Sequence, residues 1–477
     1  AGTRVNSSGL VETVELLGGE DVVNGSFSTD SDWNTSATGI SIAGDKLSRD
    51  ATATLSIVQS SSVITPSVTY KITFEIVDYT SGLLTPRFGY NGTGGTAVSG
   101  VGTYTQIITK VNQNVIELYG TAFIGSISNV SVKEYTANNL ARVDYDGTAS
   151  SLLVEPERTN LITYSEDFTD SSWTKLGAGT GSTSVVTSSY AISPDGTQNA
   201  TRLVCDLNGG TTTSDQSLIY DLDSSNTSQS ISIYIKSNTG SNQNIYFANT
   251  FGTGDTAIVT SEWQRFEFNH STSNHTFSLG LRGNTGADNT ADVLIWAAQS
   301  ENGSYPTSYI PTDGGTVTRV QDQYSKTGIS NLINSEEGVL FVEMAALSDD
   351  GTVRAIYISN GTTSNRLWLE FDSTSNRFET RYIADGATSA NFFHTVTDIT
   401  DFNKIAFKWK LNDFALWVNG AEVATDTSGS VISADTLNKI EFNNQASTSV
   451  QNLFGKVRQL QVFKTALTDT ELATLTT

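Results

Sequence analysis

Lys404-Ile405-Ala406-Phe407-Lys408-Trp409-Lys410-Leu411, then Asn412-Asp413, Phe414 to Val418, Asn419-Gly420 and Ala421 to Ala424, is the stretch that decides the fold class. Ile405, Phe407, Trp409 and Leu411 alternate with Lys404, Ala406, Lys408 and Lys410, and this period of two predicts a strand with one buried face. Asn419-Gly420 tolerates positive φ at both central positions, so it predicts a tight type I′ hairpin turn. Downstream, Phe454-Gly455-Lys456-Val457-Arg458-Gln459-Leu460-Gln461-Val462-Phe463 reads as another strand. Thr468 and Glu471 then form a capping box that opens one short helix.

The rest of the chain has the same bias. Its 477 residues exceed a single core and suggest about three domains. Only 16% are charged, and Ser, Thr, Asn and Gly between β-branched residues favour strands and turns. No segment sustains a helical period, so the class is all-β. With 27 basic against 50 acidic residues the net charge is −23, which argues against nucleic acid and against anionic membranes. No stretch of about 20 apolar residues could span a bilayer. Cys205 is the single cysteine, expected to fill a small space on a strand, and the lack of disulfides fits a bacterial or viral origin. No signal peptide begins the chain, Ala1 is not an initiator and Met344 is the only methionine, so the expectation is a processed chain or a piece of a longer one.

The terminal hairpin, strand and capped helix together resemble the laminin-G-like, concanavalin-type sandwich family over roughly residues 326–477. Upstream, two segments read as copies of one module. Val23-Asn24-Gly25-Ser26-Phe27 leads to Trp33, and Tyr164-Ser165-Glu166-Asp167-Phe168 leads to Trp173, with an acidic, hydroxyl-rich loop between Phe and Trp each time. Trp33 and Trp173 are expected to plug the ends of their modules. Alternating strands follow at residues 70–76 and 231–236 and close at 126–132 and 292–297. That order resembles the jelly-roll carbohydrate-binding modules. The segments between modules hold longer strings: Thr3-Arg4-Val5-Asn6, Ala141-Arg142-Val143-Asp144, Leu152-Leu153-Val154-Glu155-Pro156, and Pro306-Thr307-Ser308-Tyr309-Ile310-Pro311-Thr312 before Val317-Thr318-Arg319. This ensemble resembles tailed-bacteriophage virion proteins. It implies that the first module is inserted into a continuous framework, with the segments around Val5 and Val143 side by side.

The expected organisation is therefore a framework segment at 1–21, a jelly-roll module at 22–136, a framework linker at 137–163, a second jelly roll at 164–313 and a concanavalin-like sandwich at 314–477. Retaining glycoside hydrolysis needs two carboxylates about 5 Å apart. The hydrolases of the resembled fold use a Glu-x-Asp-x-(x)-Glu run, and Glu370-Phe371-Asp372 lacks its second Glu. Glu343 stands alone. His270 and His275 are oddly spaced in a polar stretch, His394 lies apart, and there is no P-loop, HExxH or GxSxG. No catalytic residue is assigned.

Jelly-roll resemblance implies a structural Ca²⁺ held by Asn24, Asp30 and Asp32 in the first module and by Glu166, Asp167 and Asp170 in the second. No other cofactor is required. Glycans would stack on exposed rings beside polar groups; the candidates are Tyr79, Arg87, Phe88, Tyr90 and Tyr119, with Trp368 and Tyr382 in the last domain. Trp409 reads as core. The expected function is a non-enzymatic phage virion surface protein, a tail fibre or capsid decoration, that adheres to host or environmental glycans outside the cell. Its other partners would be virion proteins and further copies of itself, although no heptad supports a trimer. The alternatives are a decoration protein that binds no sugar, and a polysaccharide-degrading enzyme.

Overall fold

The computed structural model describes residues 2–59, 64–65, 67–89, 93–109, 115–138, 140–222, 228–250, 253–270, 276–442 and 451–477. In it, Asn419 and Gly420 take φ of 48° and 86°, the paired positive values of a type I′ turn, and Val418 faces Ala421 across it. Ile405, Phe407 and Trp409 are fully buried on the inward side of the strand Asn403–Lys410. The expectation of a single buried face fails on the other side. Ala406 is also fully buried, packed with Val339, Phe341, Ala415 and Trp417 beneath Leu472 of the terminal helix Asp469–Thr476. Lys408 lies there too, its ammonium 2.7 Å from Asp413. Leu411, at the strand end, is exposed. The capping box forms as read, with Thr468 N–H donating to Glu471 Oε2 at 2.8 Å and Glu471 N–H to Thr468 Oγ1 at 3.4 Å.

The fold is all-β and divides into two compact units, residues 15–140 and residues 1–14 with 141–477. The smaller unit is built on two antiparallel strands, Thr69–Phe88 and Ile116–Thr136. Tyr70, Ile72, Phe74 and Ile76 alternate into its core while Thr69, Lys71, Thr73 and Glu75 face outward. Where the long pair shifts register, Gly82 holds φ of 82°, and a Cβ there would lie 2.1 Å from Ala122 O, so the kink demands glycine. Leu16–Glu20, at the edge of this unit, pairs with the end of Ile116–Thr136.

The larger unit contains a sandwich of two five-stranded sheets. One runs Thr174–Ala178, Gln216–Leu222, Thr276–Arg282, Gln243–Thr250, Thr253–Val259; the other runs Val185–Ala191, Ala200–Asp206, Thr290–Asn302, Gln229–Ser237, Gln264–His270. Its second sandwich packs a seven-stranded sheet on a six-stranded one across a single core that includes Leu340, Phe371, Phe407 and Trp409. The segment expected as a linker supplies two strands of the seven-stranded sheet, Arg142–Asp146 and Ala149–Val154, with Leu152 facing Val457. The plugs of the jelly rolls are built alike. Phe27 and Trp33 have ring centroids 5.1 Å apart and Trp33 Nε1 donates to Asn24 O; Phe168 and Trp173 are 4.9 Å apart and Trp173 Nε1 donates to Tyr164 O.

The framework strings of the larger unit meet in one buried node. Arg142 Nη1 donates to Glu155 Oε2 at 2.6 Å, to Ser308 Oγ at 2.7 Å and to Thr3 O at 3.1 Å, while its Nη2 pairs with Asp322. Arg319 Nη1 lies 2.7 Å from the same Glu155 oxygen, and Ser308 N–H donates to Glu155 Oε1 at 2.7 Å. Burial alone would raise the Glu155 carboxyl, but Arg319 and Arg142 outweigh it and hold the group at about 2. Beside the node, Val5 N–H donates to Asp144 Oδ1 at 2.8 Å, and Arg4 Nη1 to Val143 O at 3.4 Å. The segments around Val5 and Val143 thus lie together.

Candidate functional site

The six-stranded sheet, ordered Ser325–Thr327, Lys439–Glu441, Arg354–Ser359, Arg366–Phe371, Arg377–Ala384, Ala387–Thr395, carries the site. Its inward residues, Ile356, Ile358, Leu367, Leu369, Phe378 and Tyr382, belong to the core. Period two then puts Tyr357, Arg366, Trp368, Glu370, Glu379 and Arg381 on the outward face. Register aligns Tyr357, Trp368 and Arg381 in one row across three strands, and sets Glu370 directly opposite Glu379 in the next. The Arg366 and Arg381 guanidinium carbons lie 4.8 Å and 5.1 Å from the Trp368 ring, a cation–π clamp from two sides. Phe393, opposite Glu379 and 45% exposed, opens the row toward solvent with Arg377 stacked 4.8 Å away.

Several polar atoms on this face lack partners among the described residues. Arg366 Nε and Nη1 and Arg381 Nε are buried and make no hydrogen bond to a described residue. Each such atom costs about 1–3 kcal/mol, so a concentration of them on one face needs an explanation. Glu370 escapes part of the cost by keeping its proton. Burial, then the negative charge of Glu379 opposite, push its carboxyl up to about 8. The face therefore combines fixed N–H donors and a carboxylic acid, with Arg381 Nη2 2.5 Å from Glu379 Oε1. Such a surface is matched to a ligand that both donates and accepts at closely spaced positions.

The sequence candidates fall in three places. Trp368 sits at the centre of this face but is itself buried, 5% exposed with the Arg366 and Arg381 guanidiniums over its ring, so a ligand here meets the guanidinium edges around it. Tyr382 does not: it is fully buried on the opposite side of the sheet, its hydroxyl donating to Ser335 O at 2.7 Å and accepting from Ile432 N–H at 2.9 Å. A ring with no exposed face cannot stack on a sugar, which corrects that assignment. In the smaller unit, Arg87 stacks 3.7 Å over Tyr119, so these two are brought together. Phe88 is core. Tyr79 is 37% exposed, faces Gly125 well along the strand, and donates to Gly82 O. Tyr90 lies outside the described residues.

Most of the metal candidates are engaged by other groups in the structure. Asn24 turns its amide nitrogen to Thr29 O at 2.7 Å and Ser31 O at 3.0 Å, so an amide faces the carbonyls a cation would need. Asp32 accepts from Ser31 Oγ, and Asp30 is exposed. In the second module Lys175 Nζ donates to the carbonyls of Thr169, Asp170 and Trp173 at 3.1, 2.8 and 2.8 Å. An ammonium thus takes the position in this loop that would suit a metal ion. Asp167 accepts from Thr169 N–H and Asp170 from Ser172 N–H as turn formers. Glu166 is turned inward, accepting from Tyr309 OH at 2.8 Å and Asn199 Nδ2 at 2.9 Å. Among the described residues no three His, Cys, Asp or Glu side chains converge on a metal position.

Sequence reading missed Glu379, Arg366 and Arg381. It sought the second acid along one strand, whereas the sheet supplies it from the next. The signal was present in the hairpin: Glu370 and Glu379 are equidistant from the turn at Thr374-Ser375, as a symmetric pairing requires.

No protein-family model matches the chain, and no curated protein matches it. Among solved structures it is similar to the Ruminococcus gnavus IT-sialidase CBM40 bound to α2,3-sialyllactose, at 16% identity over 32% of this chain and 98% of that one, with a TM-score of 0.27. It is also similar to mouse laminin α1 chain domains LG4-5, at 11% identity over 68% of this chain and 93% of that one, TM-score 0.22. Sheep galectin-11 matches at 10% identity over 30% and 95%, TM-score 0.19. Likeness at these scores settles neither fold nor ligand.

Proposed function

We propose that the chain is a non-enzymatic adhesion protein on the surface of a tailed-phage particle, a tail fibre or capsid decoration, and that it holds glycans on the face around Trp368. One observation carries the glycan reading: orphaned donors and a protonated acid surround an aromatic ring on one sheet face. Sugars present vicinal hydroxyls that donate and accept at once, matched to the guanidinium edges and the acid around the ring. Individual contacts of this kind are weak, and many copies on one particle would raise avidity by roughly 10²–10⁴. The virion reading is supported by the framework strings, whose residues Arg142, Glu155, Ser308 and Arg319 are committed to a single rigid joint. That joint also favours a second reading, a decoration protein that ties modules together without binding sugar. No helix among the described residues is long and apolar enough to cross a membrane.

A dense glycan array probed with the full chain separates the readings. Binding to any glycan class is expected, and a silent array at high protein density favours the purely structural role. Quantitative mass spectrometry of purified virions tests the location; a protein absent from particles would overturn it.

A further inference from the structure

The larger unit contains a cleft of about 880 Å³ away from the Trp368 face. Its volume lies within the roughly 300–1,000 Å³ of ligand sites, which favour the seams between packed layers. Three parts of one unit wall it. The second jelly roll contributes Tyr234 and Arg265, the terminal sandwich Phe402, Lys456 and Arg458, and the framework strands Arg4 and Asp144. None of these belongs to the Trp368 face.

The floor is prepared. Thr307 and Ser308 line the cleft, and the node beneath fixes both: Ser308 through Glu155, and Thr307 through Arg265 Nη2 on its carbonyl at 2.5 Å and Glu301 on its amide at 2.7 Å. Buried ion networks are poor sources of stability, and this one fixes the geometry of the floor. On the far wall the Arg458 guanidinium lies 3.6 Å over the Phe402 ring, which fixes its plane. The framework strings therefore divide by position: their buried members form the joint, and Arg4, Asp144 and Thr307 face the opening.

The charges identify the ligand class. Each cation of the lining already faces a carboxylate: Arg4 and Glu12 at 2.7 Å, Arg265 and Glu267 at 3.3 Å, Lys456 and Asp144 at 3.4 Å, Arg458 and Glu343 at 3.4 Å. No surplus positive charge remains to receive a uronate or sialate, and such a ligand would have to break an existing pair. A neutral polyol breaks none, because its hydroxyls donate to the carboxylates and accept from the guanidinium edges. We infer that this cleft is a second glycan site, separate from the Trp368 face and selective for an uncharged oligosaccharide. The inference rests on the reading of the chain as a glycan binder and adds a site to it.

The test titrates the full chain with cellohexaose, xylohexaose, maltohexaose and, as the charged control, hexagalacturonate, and maps amide hydrogen exchange with each. The expected result is that at least one neutral hexasaccharide protects segments 400–402 and 456–458, that Arg458→Ala weakens it by about tenfold, and that Trp368→Ala leaves this protection in place. Asp401→Asn, an exposed change on the same wall, serves as a second variant and should weaken binding several-fold. Protection confined to residues 366–381 would overturn the cleft and leave the face reading standing. Tighter binding of hexagalacturonate, an effect of Arg458→Ala below twofold, or protection of these segments by a second copy of the chain in place of sugar would each overturn it, as would binding of no neutral hexasaccharide.

Discussion

The behaviour of Glu370 follows from its neighbours more than from its own chemistry. A carboxyl facing Glu379 across a sheet, beneath two arginines committed to Trp368, holds its proton up to about 8. Its folded value lies above its unfolded one, so the unfolded state releases the proton first. Stability should therefore fall as pH rises from about 4.5 to about 8 and level off beyond. Glu370→Gln, which keeps the neutral form permanently, should flatten that slope; urea titrations at pH 5, 6.5 and 8 measure it. Buried Tyr382 shows the other limit of reading single residues. Its sequence neighbourhood, aromatic and arginine-rich, matches that of Trp368, but the two stand on opposite faces of the sheet, and only the register reveals which is inside.

At the level of elements, the hairpin at 404–424 and the helix cap were legible because their chemistry is local: Asn-Gly accepts positive φ, and Thr468 and Glu471 satisfy each other's amides. The second burial of the strand Asn403–Lys410 was not legible, since it depends on a helix some sixty residues downstream packing on Ala406 and Ala415. Paired acids and the Trp368–Arg381 contact were hidden for the same reason, being cross-strand features. The loop after Phe168 belongs to this scale too. Sequence suggested oxygen ligands for calcium, but three of its carbonyls accept from Lys175. Addition of calcium or of a chelator should accordingly leave the melting temperature unchanged, whereas Lys175→Ala should lower it. A calcium-dependent rise of several degrees would contradict the ammonium-filled loop.

For the whole molecule, the framework strings turn out to be architecture. Residues more than 300 positions apart meet at Thr3, Arg142, Glu155, Ser308, Arg319 and Asp322. Removing one partner from such a network strands the others without solvent, at about 3–5 kcal/mol. Arg142→Ala should therefore destabilise the larger unit by that order while the smaller unit, residues 15–140, melts as before, which calorimetry on the full chain resolves. Acid should act on the two carboxyls of the joint differently: burial raises Asp322, so it takes a proton first, whereas Glu155 sits at about 2, and its contribution, full above the ordinary carboxylate range, is lost as pH falls toward 2.

The central claim is that the face around Trp368 holds sugar, and it meets its most direct test in the affinity of one variant. The glycan bound best on an array should be titrated against the full chain and against Trp368→Ala, with folding of the variant verified by its unchanged circular dichroism. A loss of about tenfold or more is expected. An affinity unchanged within twofold, in a variant that is folded, would contradict it.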